Sequence, residues 1–172
     1  MRWPADLDAR LLEQPDGRSC GAAAALAARA MLEGWRPEDP EADITRAHRL
    51  LTSATSARDR FQMPWPRALG TPPWAIANTL RALTGQHVAT VIARPRPEIA
   101  YDVLRAQLDT RPAAVYLGSR WLPRHVVLAV RTTAVGVEVF DPAHGRLVDV
   151  PAERWTHHHV GVAGWDHVWF VV

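Results

Sequence analysis

The sequence contains a single cysteine, Cys20, at the start of the alanine-rich stretch CGAAAALAARAMLEG. Good helix formers fill this stretch and Gly34 follows as a helix stop, so Cys20 is predicted to lie at the amino end of a helix. The partial positive charge of a helix N-terminus favours a thiolate, and a nearby imidazolium favours it further. No internal disulfide is possible, and the thiol is predicted to be a nucleophile. The alternative is a buried cysteine that acts as a small hydrophobe.

His125 is predicted to be the base that activates Cys20. It opens the β-branched run HVVLAV after a proline and an arginine, and a side chain at such a strand end is well placed to face a cleft. An imidazole can accept the thiol proton and later return it to a leaving group. Among the eight histidines, His144 and His87 are the alternatives for this role.

Asp141 is predicted to orient the imidazole. The runs RHVVLAVRT and GVEVFDP are joined by turn residues near Thr133, so they are expected to pair as a hairpin with residue 125 opposite residues 141 to 143. Directly opposed side chains have Cβ atoms about 4.5 to 5.5 Å apart, within reach of a carboxylate–imidazole hydrogen bond. The alternative is that Asp141, which precedes a proline, only starts a turn.

Acyl transfer also needs hydrogen-bond donors that stabilise the developing oxyanion. The backbone N–H of Cys20 is one predicted donor, because the first N–H groups of a helix have no intrahelical partner. The side-chain amide of Gln14, upstream across the turn-forming PDGRS, is the other. The alternative for Gln14 is a solvated loop side chain.

The predicted elements place helices before strands. Helices are expected at residues 20–33, 41–51 and 72–84, the last capped by Thr71 and ended by Gly85, with a polar, proline-rich loop before the third helix. Strand-like runs follow at 87–93, 113–118, 124–132, 136–142, 145–151 and 166–172, with helix-like segments at 97–110 and 151–155. This order favours an α+β fold of two layers, with N-terminal helices packed on a C-terminal antiparallel β-sheet, in one domain over residues 1–172.

Composition and charge narrow the classes of function. The 20 basic residues, all arginine, are scattered among 18 acidic ones, so no nucleic-acid partner is expected. The longest apolar run is short and interrupted by Arg29, so no membrane span is predicted. The N-terminus lacks the features of a secretory signal, so a cytoplasmic location is favoured, and export without a signal peptide is the alternative. Neither the run His157 to His159 nor any other cluster has the ligand spacing of a zinc site, so no metal or cofactor is expected.

Three segments together resemble papain-like cysteine peptidases, and most closely the bacteriocin-processing, double-glycine leader peptidase family. QPDGRSCGAAAALAARAML is similar to that family's nucleophile segment, LGTPPWAIANTLRALTG to its third helix, and HVVLAV with VFDPAHG to its His strand and Asp-Pro turn. The resemblance implies a papain-like fold, with Gln14 as oxyanion donor and Cys20 as nucleophile. It further implies His125 as general base and then acid, and Asp141 as the group that orients it.

The expected function is that of a bacterial thiol protease, which hydrolyses a peptide bond in a peptide or protein substrate through a Cys-His-Asp triad. One alternative is a papain-fold deamidase, acyltransferase or effector toxin that acts on a protein side chain, because one fold supports several chemistries. The other is a non-catalytic module that binds a peptide. The sequence favours no particular oligomeric state.

Overall fold

The computed structural model describes residues 1–172, and its helices precede most of its strands. The helices are α1 (Cys20–Glu33), α2 (Pro40–Thr52), α3 (Pro73–Thr84), α4 (Pro97–Leu108) and α5 (Ala152–Thr156). The strands are β1 (Val91–Ile92), β2 (Ala113–Gly118), β3 (Pro123–Thr132), β4 (Gly136–Asp141), β5 (Arg146–Pro151) and β6 (His167–Val171). No helix combines the length and the apolar character that crossing a membrane requires.

Helix α1 is the element on which the site depends, and it is buried on nearly every side. Its alanines, such as Ala23 and Ala27, are fully covered, because small side chains let neighbouring elements approach closely. Helices α2 and α3 pack against it on the helical side, and β3 packs against it on the sheet side. Gly34 ends the helix in the left-handed conformation, as predicted. Packing on both sides therefore fixes the amino end of α1 next to the sheet.

The six strands form one antiparallel sheet in the order β1-β6-β2-β3-β4-β5. Alternate residues of β3 belong to two separate apolar cores: Val126 and Leu128 pack with α1, whereas Val127 and Ala129 pack with Leu104 of α4. The predicted α+β class, with N-terminal helices packed on the sheet, is confirmed. The prediction of two layers is wrong, because α4 and α5 cover the second face of the sheet and form a third layer.

The segment before α3 differs from its sequence prediction. Pro72, and not Thr71, is the N-cap of α3, and the Thr71 side chain makes no capping hydrogen bond. Thr71 packs instead against Gly21, where an added Cβ would lie 2.6 Å from the Thr71 Cβ, and its carbonyl accepts a hydrogen bond from the Tyr116 hydroxyl (2.9 Å). Close packing against α1 and the sheet therefore replaces the predicted cap.

The β3–β4 hairpin places the predicted imidazole and carboxylate near each other. Leu128 pairs with Phe140 and Ala129 pairs with Val139, and a bulge follows toward Arg131. If this register is continued, residue 125 lies opposite residue 143, within the predicted range of 141 to 143. The hairpin thereby brings the start of β3 to the end of β4.

Candidate active site

The turn before α1 leaves the first N–H groups of the helix free. A single carboxylate oxygen of Asp16, Oδ1, accepts hydrogen bonds from the backbone N–H groups of Arg18 and Ser19, both at 2.8 Å, which turns the chain into α1. Ser19 is the N-cap, but its buried hydroxyl makes no capping hydrogen bond. The N–H of Cys20 consequently has no partner within the protein and is available to another acceptor.

Cys20 is the first residue of α1, and its side chain lies beside the His125 imidazole. Cys20 raises the pKa of the His125 imidazole, through its charge and through contact with the ring, so the sulfur lies close to the imidazole. Both residues are nearly covered, each with 4% of its surface exposed. Cys20 and His125 come from distant parts of the chain, and the packing of α1 on β3 brings them together.

His125 joins the thiol to the carboxylate. Its Nε2 lies 2.9 Å from Oδ1 of Asp141, which leaves Nδ1 as the ring nitrogen available to Cys20. Burial by itself lowers the pKa of His125, but hydrogen bonds to Asp141 and Cys20, together with the charges of both groups, outweigh it and raise the pKa to about 9. The imidazole is therefore held in its protonated form when the sulfur and the carboxylate are ionised.

Asp141 is fully buried at the end of β4 and accepts three hydrogen bonds. Its Oδ1 accepts one from His125 and one from the backbone N–H of Ala143 (3.0 Å), and its Oδ2 accepts one from Nδ1 of His144 (2.7 Å). Burial alone would raise the pKa of Asp141, yet the hydrogen bonds from His125 and His144 outweigh burial and lower the pKa. The carboxylate therefore stays ionised and supplies the negative charge that faces His125.

Gln14 is attached to the turn that follows Asp141. Its backbone N–H donates to the carbonyl of Pro142 (2.8 Å), and its side-chain amide makes no hydrogen bond within the protein, although Oε1 is buried. Gly145, with a φ of +54°, packs closely against the Ala9–Leu12 turn: an added Cβ would lie 2.7 Å from the Cα of Arg10. These contacts place an unpaired amide at the edge of the site that holds Asp141.

Of the two alternatives for the base, neither lies against the thiol. His87 is exposed and makes no side-chain hydrogen bond, whereas His144 bonds the oxygen of Asp141 that His125 does not use. The sequence did not predict the contact between His144 and Asp141, because a histidine three residues after an aspartate can face the carboxylate or the solvent. The only sequence signal was its position within the DPAHG turn.

Sequence reasoning also missed Tyr116 as a neighbour of the thiol. Its buried hydroxyl donates to the Thr71 carbonyl (2.9 Å), and its ring packs edge-on against Phe170. Burial raises the pKa of Tyr116 well above its usual value, and the charge of Cys20 adds to this effect. Tyr116 lies inside an apolar strand run, a pattern that predicts only a core residue.

The surface also has a groove, a cluster of histidines and an exposed tryptophan. A groove between α1, α2 and α3, whose lining includes Arg29, Leu50 and Leu83, contains none of the four predicted site residues. The residues His157 to His159 and His167 do not form a metal-binding group, and no cluster of three or more His, Cys, Asp or Glu side chains in the structure could hold a metal ion. Trp121, in the β2–β3 loop, is 67% exposed and stacks under Arg120.

No protein-family model matches the sequence, and no curated protein matches it significantly. The chemistry of the site therefore has to be inferred from its residues and their geometry.

Proposed function

We propose that this protein is a cysteine hydrolase of papain-like architecture that cleaves a peptide bond in a peptide or protein substrate. The observation that carries the proposal is the grouping of Cys20, His125 and Asp141: Cys20 raises the pKa of His125, whose Nε2 lies 2.9 Å from Oδ1 of Asp141. A thiolate paired with an imidazolium is the activated nucleophile of such enzymes. The carboxylate holds the imidazole in one orientation and stabilises its charge.

In the proposed reaction, the Cys20 sulfur forms a bond to the carbonyl carbon of the scissile peptide. The carbonyl oxygen becomes an oxyanion, and the free N–H of Cys20 and the unpaired amide of Gln14 stabilise it. His125 gives its proton to the leaving amine as the C–N bond breaks. It then takes a proton from water, whose oxygen attacks the thioester and releases the acid, which restores the thiol site.

The burial of the nucleophile favours a substrate with small side chains next to the scissile bond. With 4% of Cys20 exposed, a substrate chain must present little side-chain bulk next to the scissile bond in order to reach the sulfur. Glycine meets this requirement best, because it has no Cβ. A peptide with small residues before the cleavage point therefore agrees with the family resemblance noted from the sequence.

The test is incubation of the protein with a diverse peptide library, followed by mass spectrometry of the products. We expect wild-type protein to split peptides after small residues, and Cys20→Ala to split none while it keeps the wild-type unfolding temperature. His87→Ala, which changes an exposed histidine away from the site, is the matched control and should cleave as the wild type does. Cleavage by Cys20→Ala would refute the proposal.

The same assay separates the two alternative functions. A gain of about one dalton in a target, without a new terminus, would indicate deamidation of a side chain. A peptide retained unchanged, together with a Cys20 thiol that resists alkylation in the folded protein, would indicate a non-catalytic binding module.

A further inference from the structure

The Asp141 carboxylate lies between two imidazoles of different exposure. His125 contacts Oδ1 (2.9 Å) and is 4% exposed, whereas His144 contacts Oδ2 (2.7 Å) and its side chain is 51% exposed. Of the two oxygens, Oδ1 has a second donor in the N–H of Ala143, but Oδ2 has only His144. Because Asp141 is fully buried, Oδ2 has no contact with solvent while His144 is in place.

The unequal pairing of the two oxygens has a mechanical consequence. A carboxylate can turn about its Cβ–Cγ bond. A buried oxygen that has lost its hydrogen-bond donor lowers its free energy by turning toward another donor. Since the two oxygens turn together, a rotation that moves Oδ2 also moves Oδ1 out of hydrogen-bonding position with Nε2 of His125. The hydrogen bond from His144 therefore opposes the one motion of Asp141 that would release the imidazole.

The position of His144 is set by its turn and not by its own packing. The neighbouring Gly145 packs against the Ala9–Leu12 turn, with room for no Cβ, and the N–H of Gln14 holds the carbonyl of Pro142. The backbone around residue 144 is therefore fixed by contacts that do not involve the imidazole. A substitution that removes the ring should leave this turn in place.

We propose that His144 is a positioning residue for the catalytic pair: its Nδ1–H holds Oδ2 of Asp141, and this contact keeps Oδ1 aligned with His125. The neutral Nδ1–H tautomer and the protonated ring both supply this donor. His144 touches neither the sulfur nor, in this role, the substrate, and it acts only through Asp141. The inference rests on the proposed function, since it assigns a task to a residue of that same site.

The test measures the rate at which iodoacetamide alkylates Cys20 at about pH 6.5, so that no substrate is needed. His144→Leu should lower this rate by about fivefold, the factor that one ordinary hydrogen bond represents. His144→Asn, whose side-chain amide can donate from nearly the position of Nδ1, should restore most of the rate. His87→Leu is the control and should react as the wild type does, because His87 is exposed and makes no side-chain hydrogen bond.

A double-mutant cycle separates positioning from a general structural effect. In an Asp141→Ala background, His144→Leu should change the rate by less than about twofold, because a residue that acts through Asp141 has nothing left to hold. Asp141→Leu provides a second background that keeps the approximate shape of the side chain without an acceptor, and His144→Ala provides a second variant without a donor. Thermal unfolding of each variant checks that the protein is folded.

Each outcome decides between the hypotheses. Any of three results would overturn the positioning role. The first is that His144→Leu lowers the alkylation rate by the same factor with and without Asp141. The others are that His144→Leu leaves the rate unchanged, or that His144→Asn fails to restore it. His125→Ala reports separately on the proposed function and should lower alkylation by about 10- to 100-fold. If His125→Ala has no effect, the proposed function itself fails, whatever His144 does.

Discussion

Two groups of histidines in this protein have opposite environments. The carboxylate-centred group consists of His125, Asp141 and His144 at the edge of the sheet, and its carboxylate is fully buried between two imidazoles. The histidine turn consists of His157, His158, His159 and His167, and it lies near the surface with more imidazoles and no buried carboxylate among them.

The histidine turn makes its contacts with backbone groups, with the Thr156 hydroxyl or with another ring. His158 bonds the carbonyl of Arg94 (3.2 Å), and its ring lies 4.8 Å from that of His167. Burial lowers the pKa of His167, and the charge of His158 lowers it further. In the carboxylate-centred group the pKa of His125 is raised instead. A buried countercharge, and not the number of imidazoles, therefore gives a histidine the protonation state that thiol chemistry needs.

The comparison is tested most strongly by one substitution in each group. His125→Asn should lower peptide hydrolysis by about 10²- to 10⁴-fold, because the proposed general acid and base is lost. His158→Asn should change the rate by less than about twofold, the usual range of a surface substitution. Both rates are measured with the peptide identified in the library screen, and similar losses in the two variants would contradict the distinction drawn between the groups.

The next largest effect is expected from Asp141→Asn. Loss of the charge that faces His125 should lower hydrolysis by about 10- to 100-fold, the range of a hydrogen bond to a charged group. The pKa of His125 should fall below its value of about 9, because the first of the two groups that raise it has lost its charge. Titration of the His125 ring protons by NMR measures this shift, and a pKa that does not move would show that Asp141 is not the countercharge.

A smaller effect should appear in the pH dependence of activity and stability. Hydrolysis should decline as pH rises through about 9, where His125 loses its proton. Because the folded pKa lies above the unfolded value of about 6.5, the stability that His125 contributes is full below about pH 6.5 and is lost as pH rises through about 9.

Urea unfolding of wild type and His125→Asn at several pH values measures that contribution. The difference in the free energy of unfolding between the two proteins should shrink from neutral to alkaline pH. A difference that stays constant or grows over this range would mean that the pKa of His125 is not raised in the folded protein.

The smallest effect is expected in the histidine turn. The lowered pKa of His167 makes its contribution to stability full above the unfolded value of about 6.5 and lost as pH falls through the folded value. His167→Gln should therefore make the protein less sensitive to mild acid and leave hydrolysis unchanged. Thermal unfolding near pH 5 and near pH 7 checks this, and a loss of activity in His167→Gln would show that the turn belongs to the site.

Much of the site followed from local patterns in the sequence. The alanine-rich run after Cys20 predicted α1, because good helix formers and a terminal glycine act over a few residues. The β-branched runs around residues 125 and 141 predicted a hairpin, and hairpin geometry predicted that an imidazole and a carboxylate would meet. The residue roles in catalysis remain predictions, since the geometry supports them without testing them.

Other features needed the folded chain. Thr71 has the residue type of a helix cap, yet Pro72 is the N-cap of α3. Thr71 instead packs against Gly21, and its carbonyl accepts a hydrogen bond from the Tyr116 hydroxyl. The covering of the second sheet face by α4 and α5 was not predicted either, because an amphipathic helix shows which side it buries but not which face of a sheet it covers.

The sequence by itself determined which residues could react, since residue type and periodicity over a few positions fix a thiol at a helix start and a histidine and aspartate on paired strands. Only the tertiary structure decided that α1 lies on β3 with the sulfur against His125, and that His144 takes the second oxygen of Asp141. The physical reason is range: hydrogen bonds along a helix or a hairpin join near neighbours, whereas the meeting of distant side chains depends on how whole elements pack.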